Sequence, residues 1–218
     1  MSKQTEHQDK TSLPIGSPTS GEPIAQTIAY YDENAREFAS STASVEFSAM
    51  QQKFESLFFP GAKILDFGCG SGRDAKHFLD AGFDVTATDG SLELCKLAEQ
   101  LIGIPVRNEL FQDLSEIEVY DGIWACSSIL HLPKPALADV LAKMTAALKP
   151  NGVIYTSFKY GLFEGLRNGR YFTDFTESEF QAFLKQIPQL RIEESWTTAD
   201  VRPGREDEQW LNLLLRKA

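Results

Sequence analysis

The stretch Ile64-Leu65-Asp66-Phe67-Gly68-Cys69-Gly70-Ser71-Gly72-Arg73-Asp74 decides the reading of this 218-residue chain. Lys63 to Phe67 is a short apolar run that reads as a buried strand, and Asp74 to Ala81 is an amphipathic run that reads as a helix closed by Gly82. Between them lie three glycines on alternate positions. Glycine lets a ligand approach the backbone without meeting a Cβ, and the start of the following helix offers free N–H groups. Phe83 to Thr88 reads as the next strand. Asp89 stands at its end, 21 residues beyond Gly68. That spacing sets a carboxylate beside the turn, suited to accept hydrogen bonds from the two hydroxyls of a ribose.

Outward from this unit, short apolar runs keep alternating with amphipathic ones. Ser91 to Leu101 reads as a helix with a serine cap, and Ile104 to Arg107 and Tyr120 to Cys126 as strands. Pro135 to Leu148 reads as a helix followed by Pro150-Asn151-Gly152, and Val153 to Phe158 as a fifth strand. The alternation implies a mostly parallel, doubly wound sheet with helices on both faces. Tyr160 to Asp174 reads as an irregular loop, and residues 159–175 as a substrate-side segment. Thr176 caps a further helix, with Glu179 three residues on. Leu190 to Thr197 and Gln209 to Leu215 read as two strands closing the sheet edge, the last one antiparallel, with a turn at Arg202-Pro203-Gly204-Arg205 between them.

Before the strand–turn–helix unit, Ile24, Ile28, Tyr31, Ala35 and Phe38 recur at helical spacing. So do Phe47, Met50, Phe54, Leu57 and Phe58, and Pro60-Gly61 stops that second pattern. Residues 1–23 are rich in Ser, Thr, Pro, Gly and Gln and read as a flexible tail. Residues 24–218 then form a single domain, with 24–60 as helices over its mouth.

Lys and Arg number 21 against 31 Asp and Glu, a formal charge of −10, which argues against a general nucleic-acid binder. The three cysteines, Cys69, Cys95 and Cys126, form no CxxC pair, so neither a disulfide framework nor a cysteine-rich zinc site is expected, and a reducing, cytoplasmic setting fits. No metal-ligand spacing such as HExxH occurs. No apolar run approaches the roughly 18 residues of a membrane helix, and the amino terminus lacks the apolar core of a secretory signal. A dinucleotide site would show G-x-G-x-x-G. Here Arg73 stands where the third glycine would be, and Asp66 would repel a pyrophosphate but suit a cofactor carrying a sulfonium and an ammonium.

Taken in order, these segments resemble the class I S-adenosylmethionine-dependent methyltransferases, over about residues 24 to 218. Asp66-Phe67-Gly68-Cys69-Gly70-Ser71-Gly72 is similar to the family's first motif, around the methionine part of the cofactor. Asp89, beside Gly90, is similar to its ribose-binding acid. Phe111-Gln112-Asp113-Leu114 is similar to the segment whose Asp faces the adenine amino group, with Leu114 beside it. Tyr120 to Cys126 is similar to the fourth strand, whose end lies under the sulfonium, and Leu148-Lys149-Pro150-Asn151-Gly152-Val153 to the entry into the fifth. Gly72-Arg73-Asp74 and the run at 169–172 lean towards the tellurite-resistance-type small-molecule branch. The resemblance implies a Rossmann-like fold, S-adenosylmethionine as cofactor and a small-molecule acceptor. It also implies a helix over the cofactor, for which Tyr31 and then Arg36 are the candidate contacts.

Methyl transfer from a sulfonium is an in-line displacement that needs alignment more than acid or base. A hydroxyl acceptor would need a base, and His131, just past the fourth strand, is the candidate. Tyr171 and Arg170, with Phe172 and Phe175, are candidates for the acceptor wall. Arg167, Arg170, Arg202 and Arg205 would favour an anionic small molecule if they converge. An RNA or protein acceptor, a nucleotide-dependent oxidoreductase and a cofactor-binding module without turnover remain the alternatives. The oligomeric state is not legible. No Asn-Pro-Pro-Tyr or Asp-Pro-Pro-Tyr follows the fourth strand, and Ala125 rather than proline precedes Cys126.

Overall fold

The apolar run at 63–67 forms β1 (Lys63–Phe67), the strand from which the sheet grows in both directions. In this computed structural model, which describes residues 21–218 except 44, 203 and 206, β1 pairs in parallel with β2 (Asp84–Asp89) on one side and β4 (Tyr120–Ala125) on the other. Beyond β2 lies the short β3 (Val106–Asn108), and beyond β4 lies β5 (Leu148–Lys159), both parallel to their neighbours. Two long strands close the second edge. β9 (Gln209–Lys217) pairs antiparallel with β5, and β8 (Leu190–Ala199) antiparallel with β9. The seven strands run in the order β3-β2-β1-β4-β5-β9-β8, so β9 is the one strand that runs against the rest, as expected for the last strand. Strand order reverses between β1 and β4. In open α/β sheets that reversal leaves a crevice at the carboxyl ends of the strands.

Successive residues of each strand point to opposite faces, and the apolar residues divide accordingly. Leu65, Phe67, Ile123 and Ala125 join a core under α5 (Lys134–Ala147) and α6 (Glu177–Leu184). Ile64 and Trp124 join the other core, under α3 (Arg73–Asp80) and α4 (Leu92–Ile102). Short α2 (Ser48–Glu55) adds Phe54 to that second core, where it meets the rings of Phe58, Phe78 and Trp124 at centroid distances of 4.9, 5.7 and 5.1 Å. The Trp124 ring stacks on Tyr155 of β5 at 4.0 Å, and its indole N–H donates to Asp74 at 2.8 Å. Asp74 also accepts from Gln51 Nε2 at 2.7 Å and from two nitrogens of Arg73 at 2.8 and 2.9 Å, so one buried carboxylate ties α2, α3 and β4 together. The two helix caps expected from sequence form. Ser91 Oγ accepts from Leu94 N–H and Thr176 Oγ1 from Glu179 N–H.

Several boundaries differ from the sequence reading. The stretch 1–23 read as tail is outside the described residues up to position 20, and α1 (Gly21–Thr42) already begins at Gly21. The fifth strand starts at Leu148 rather than Val153, carrying an irregular register opposite Tyr120 and Gly122. The largest difference lies at 160–174, which is not an irregular loop. β6 (Glu164–Arg167) and β7 (Arg170–Thr173) form a hairpin whose turn, Asn168-Gly169, has φ of +51° and +79°. An Asn-Gly pair is the preferred chemistry of such a two-residue turn, so the signal was present in the sequence. Among the described residues no helix is long and apolar enough to cross a membrane, and no group of His, Cys, Asp and Glu is arranged to hold a metal ion.

Phe54 is fully buried against three aromatic rings. Truncating such a ring removes transfer energy and leaves a cavity, so Phe54→Ala is expected to lower the unfolding free energy by about 3–5 kcal/mol. Urea denaturation followed by tryptophan fluorescence measures it.

Candidate functional site

The crevice above the β1–β4 reversal is floored by main chain. Gly68 and Cys69 both donate their N–H groups to the carbonyl of Thr88 at 2.9 Å, which binds the end of β1 to the end of β2. At Gly68, φ is +83°, and a Cβ there would sit 2.5 Å from Ser128 Cβ, so only glycine fits. Gly72 has a different task. A Cβ on it would lie 3.0 Å from Ile102 Cγ2 and 3.1 Å from Ala98 of α4, so it seats α3 against α4.

Asp89 reaches this floor from the tip of β2. Its Oδ2 accepts from Gly70 N–H at 2.9 Å and its Oδ1 from Ser91 N–H at 2.8 Å. Burial pushes its carboxyl up to about 6, against the pull of these two donors, with Asp32 adding to the rise. Each oxygen keeps a lone pair for a further donor. Asp89, Gly68, Cys69, Gly70, Gly90 and Cys126 all line the crevice. Burial raises both thiols, and Cys126 is pushed up to about 12.

α1 crosses over the opening and is pinned at both ends of it. Asp32 Oδ1 accepts from Ser91 Oγ at 2.6 Å and from Glu93 N–H at 3.2 Å, at the start of α4. Thr27 Oγ1 accepts from Tyr171 N–H of β7 at 2.9 Å. Ile28 and Tyr31 between these pins, and Phe38 further along the helix, face the crevice. Tyr31 also enters a directed chain of hydrogen bonds. Arg170 Nη1 donates to the Tyr31 oxygen at 3.3 Å, the Tyr31 O–H donates to His131 Nε2 at 2.9 Å, and His131 Nδ1–H donates to the Tyr171 carbonyl at 2.6 Å. The carbonyl accepts only, which sets the imidazole tautomer. Burial pushes His131 down to about 4, so the ring is neutral at neutral pH. Burial likewise raises the Tyr31 phenol and keeps it protonated.

Not every candidate from the sequence reaches the crevice. Asp66 is buried beneath the glycine turn and does not line the opening; burial and the nearby Asp74 raise its carboxyl well above the aspartate range, and its Oδ2 has no hydrogen-bond partner. Arg36 is exposed on α1, away from the stripe that Tyr31 and Phe38 share. Asp113 is exposed and Leu114 belongs to the α5-side core. Residues 111–113 form a one-turn 3-10 helix that presents Phe111 and Gln112 instead, and Gln112 Oε1 is buried without a partner. Tyr171 offers its backbone, not its ring, whose hydroxyl donates to Glu164 at 3.3 Å. Of the four arginines, Arg170, Arg202 and Arg205 line the crevice, while Arg167 pairs with Asp174 at 2.8 Å and lies outside it.

The sequence reading missed the far wall. Ser157 and Lys159 at the end of β5, Thr198 to Asp200 at the end of β8, and Trp210 and Asn212 on β9 all face the crevice. No local motif marks them; strand pairing brings them together. Asn212 Oδ1 accepts from the Tyr155 hydroxyl at 2.8 Å, and its Nδ2 donates to Thr198 Oγ1 at 3.0 Å. The crevice thus has two unlike halves. On the β2–β3 side lie bare main chain, the Asp89 acceptors, the unpaired Gln112 oxygen and the apolar Ile28, Leu110 and Phe111. These fit an adenosine, with its ribose diol and exocyclic amino group. On the β5–β9–β8 side lies a second space bounded by rings, hydroxyls and cations.

Residues 64–152 match the family model described as a methyltransferase domain. A ubiquinone biosynthesis O-methyltransferase from Actinobacillus pleuropneumoniae serotype 5b (strain L20) is 31% identical over 119 residues, 50% of this chain and 49% of that protein, so the chain spans about half the length of the curated relatives it matches. Among solved structures, Burkholderia thailandensis 1,6-didemethyltoxoflavin-N1-methyltransferase, with bound 1,6-didemethyltoxoflavin and S-adenosylhomocysteine, superposes with a TM-score of 0.75 at 21% identity, covering 98% of each chain. A TehB-like S-adenosylmethionine-dependent methyltransferase from Corynebacterium glutamicum ATCC 13032 gives 0.64 at 21% identity, covering 90% of this chain and 100% of that one. At such identities the structural likeness shows the fold.

Asp89 and His131 act oppositely on stability. The folded-state pKa of Asp89 lies above its unfolded value, so its contribution falls as pH rises from about 4 to about 6. That of His131 lies below its unfolded value, so its contribution grows from about 4 to about 6.5. Relative to the parent, Asp89→Asn is expected to gain stability with rising pH across this window, and His131→Gln to lose it. Urea denaturation at a series of pH values checks both signs.

Proposed function

From the methyltransferase-domain match over residues 64–152 and a fold shared with methyltransferases of known structure, we propose that the chain is a class I S-adenosylmethionine-dependent methyltransferase that transfers a methyl group to a small-molecule acceptor. The observation that carries this reading is the crevice with two unlike sides: one with bare main chain and the Asp89 acceptors, suited to adenosine, and one lined by rings, hydroxyls and cations. The bound cofactor supplies an activated methyl group on a sulfonium. Everything else is the work of this chain's residues.

Asp89 takes the ribose hydroxyls on the lone pairs left free by Gly70 and Ser91. The unpaired Gln112 oxygen takes the adenine amino group, one residue before the position suggested by the family motif. Ile28, Leu110 and Phe111 cover the base, and Phe38 with Tyr31 excludes water from the junction of the two halves. Such a reaction gains most from alignment of donor and acceptor, which the pinned α1 and the β6–β7 hairpin provide.

His131 is a positioning residue in this reading rather than the base. Its Nε2 is occupied by the Tyr31 hydroxyl, and its low proton affinity leaves it little driving force to take a proton near neutrality. It holds Tyr31 in place, and the reaction suits an acceptor atom that is nucleophilic without enzymatic deprotonation. The relatives support methyl transfer as the chemistry. One is named an O-methyltransferase and another an N1-methyltransferase.

Asp89→Ala is expected to weaken S-adenosylhomocysteine binding about tenfold to a hundredfold, the loss of hydrogen bonds to a charged group. Isothermal titration calorimetry measures it, and an unchanged affinity removes the ribose assignment. Screening acceptors for S-adenosylhomocysteine release tests the reaction itself.

A further inference from the structure

Arg170 differs from the other cations of the crevice. Arg73 is held by Asp74, Arg202 by Asp200, Lys159 by Glu208 and, at 4.0 Å, by Asp200, and Arg205 lies 3.9 Å from Glu208. Among the described residues, no carboxylate lies within ion-pair reach of Arg170. Among the same residues it donates to the uncharged Tyr31 oxygen, and its Nε is buried with no hydrogen-bond partner there. The guanidinium lies 4.6 Å from the ring centre of Tyr30, 5.6 Å from that of Tyr31 and 5.3 Å from that of Phe172. The Asn168-Gly169 turn places it there, and Tyr30 packs so closely that a Cβ on Gly169 would meet its ring at 2.9 Å. The planar fork is therefore fixed before any ligand arrives.

A partly desolvated cation with no counter-charge is costly, and the cost is relieved when an anion completes the pair. Its immediate neighbours add no negative charge. His131 is neutral, and Tyr31 stays protonated. A guanidinium edge with unused N–H groups matches a planar oxyanion. We propose that the methyl acceptor carries such an oxyanion, a carboxylate or a group of like shape, which the terminal N–H groups of Arg170 not used by Tyr31 grip while Tyr31 and Phe172 pack against the rest of the molecule. The proposal rests on the methyl-transfer reading and deepens it by naming the acceptor class.

Benzoate and its neutral counterpart benzamide are the probes, titrated by calorimetry and thermal shift into the full chain saturated with S-adenosylhomocysteine. Benzoate is expected to bind and stabilise, and benzamide to bind at least tenfold more weakly. Arg170→Gln is expected to lose tenfold or more in benzoate affinity, and Arg170→Lys, which keeps the charge but not the fork, to fall between. Both variants should retain the shift produced by S-adenosylhomocysteine alone. No stabilisation by benzoate, equal affinity for the two probes, or an unchanged benzoate affinity in Arg170→Gln would overturn the proposal. The comparison of probes on the unsubstituted chain stands even where a variant fails to fold. Absence of any S-adenosylhomocysteine shift would instead overturn the methyl-transfer reading beneath it.

Discussion

One buried carboxylate holds the floor of the crevice level. Asp74 receives donors from Gln51, Arg73 and Trp124, and so couples the first turn of α3 to α2 on one side and to the sheet on the other. A charge this buried is tolerated only with its lone pairs filled, and truncation of any partner would leave it short. The glycine turn runs straight into this helix. Its position relative to Asp89, and hence the shape of the adenosine half, depends on α3 staying where Asp74 sets it.

From that anchor the two halves of the crevice follow different physics. The half towards β2 and β3 is floored by main chain, where missing Cβ atoms leave room and Asp89 and Gln112 hold acceptors, with Ile28, Leu110 and Phe111 at its side. The half towards β5, β9 and β8 is mostly side chains from elements far apart in sequence: α1, the segment after β4, the β6–β7 hairpin and the tips of β5, β8 and β9. A half assembled in this way is free to vary without disturbing the other. The same fold therefore serves many acceptors, and function has to be read from the site.

The chain of bonds from Arg170 through Tyr31 and His131 to the Tyr171 carbonyl joins α1 to the hairpin across the opening. Every link has a defined donor and acceptor, so the tautomer of His131 and the placement of the Tyr31 hydroxyl are settled together. A histidine so engaged is a strut.

Much of this was legible in residue order. The strand–glycine–helix unit and Asp89 could be read because they are contiguous or one strand apart, and parallel pairing of adjacent strands forces them together. Near misses came from rotation about local axes. A 3-10 helix turns by about 120° per residue, so the motif that pointed to Asp113 in fact presents Gln112. On α1, Phe38 follows Tyr31 by seven residues and shares its face, while Arg36, five residues on, turns to solvent. Ile28 and Phe38 were visible as a periodic stripe, but periodicity alone does not separate packing from ligand contact. The sequence by itself determined the sheet, the turn and the carboxylate beside it, because these depend on period, glycine and short-range spacing. Only the tertiary structure decided that Arg170 stands beside Tyr31 with no carboxylate partner among the described residues, and that Asn212, Thr198 and Lys159 face the same space. Those neighbours are made by pairings across long sequence separations, and no local pattern encodes them.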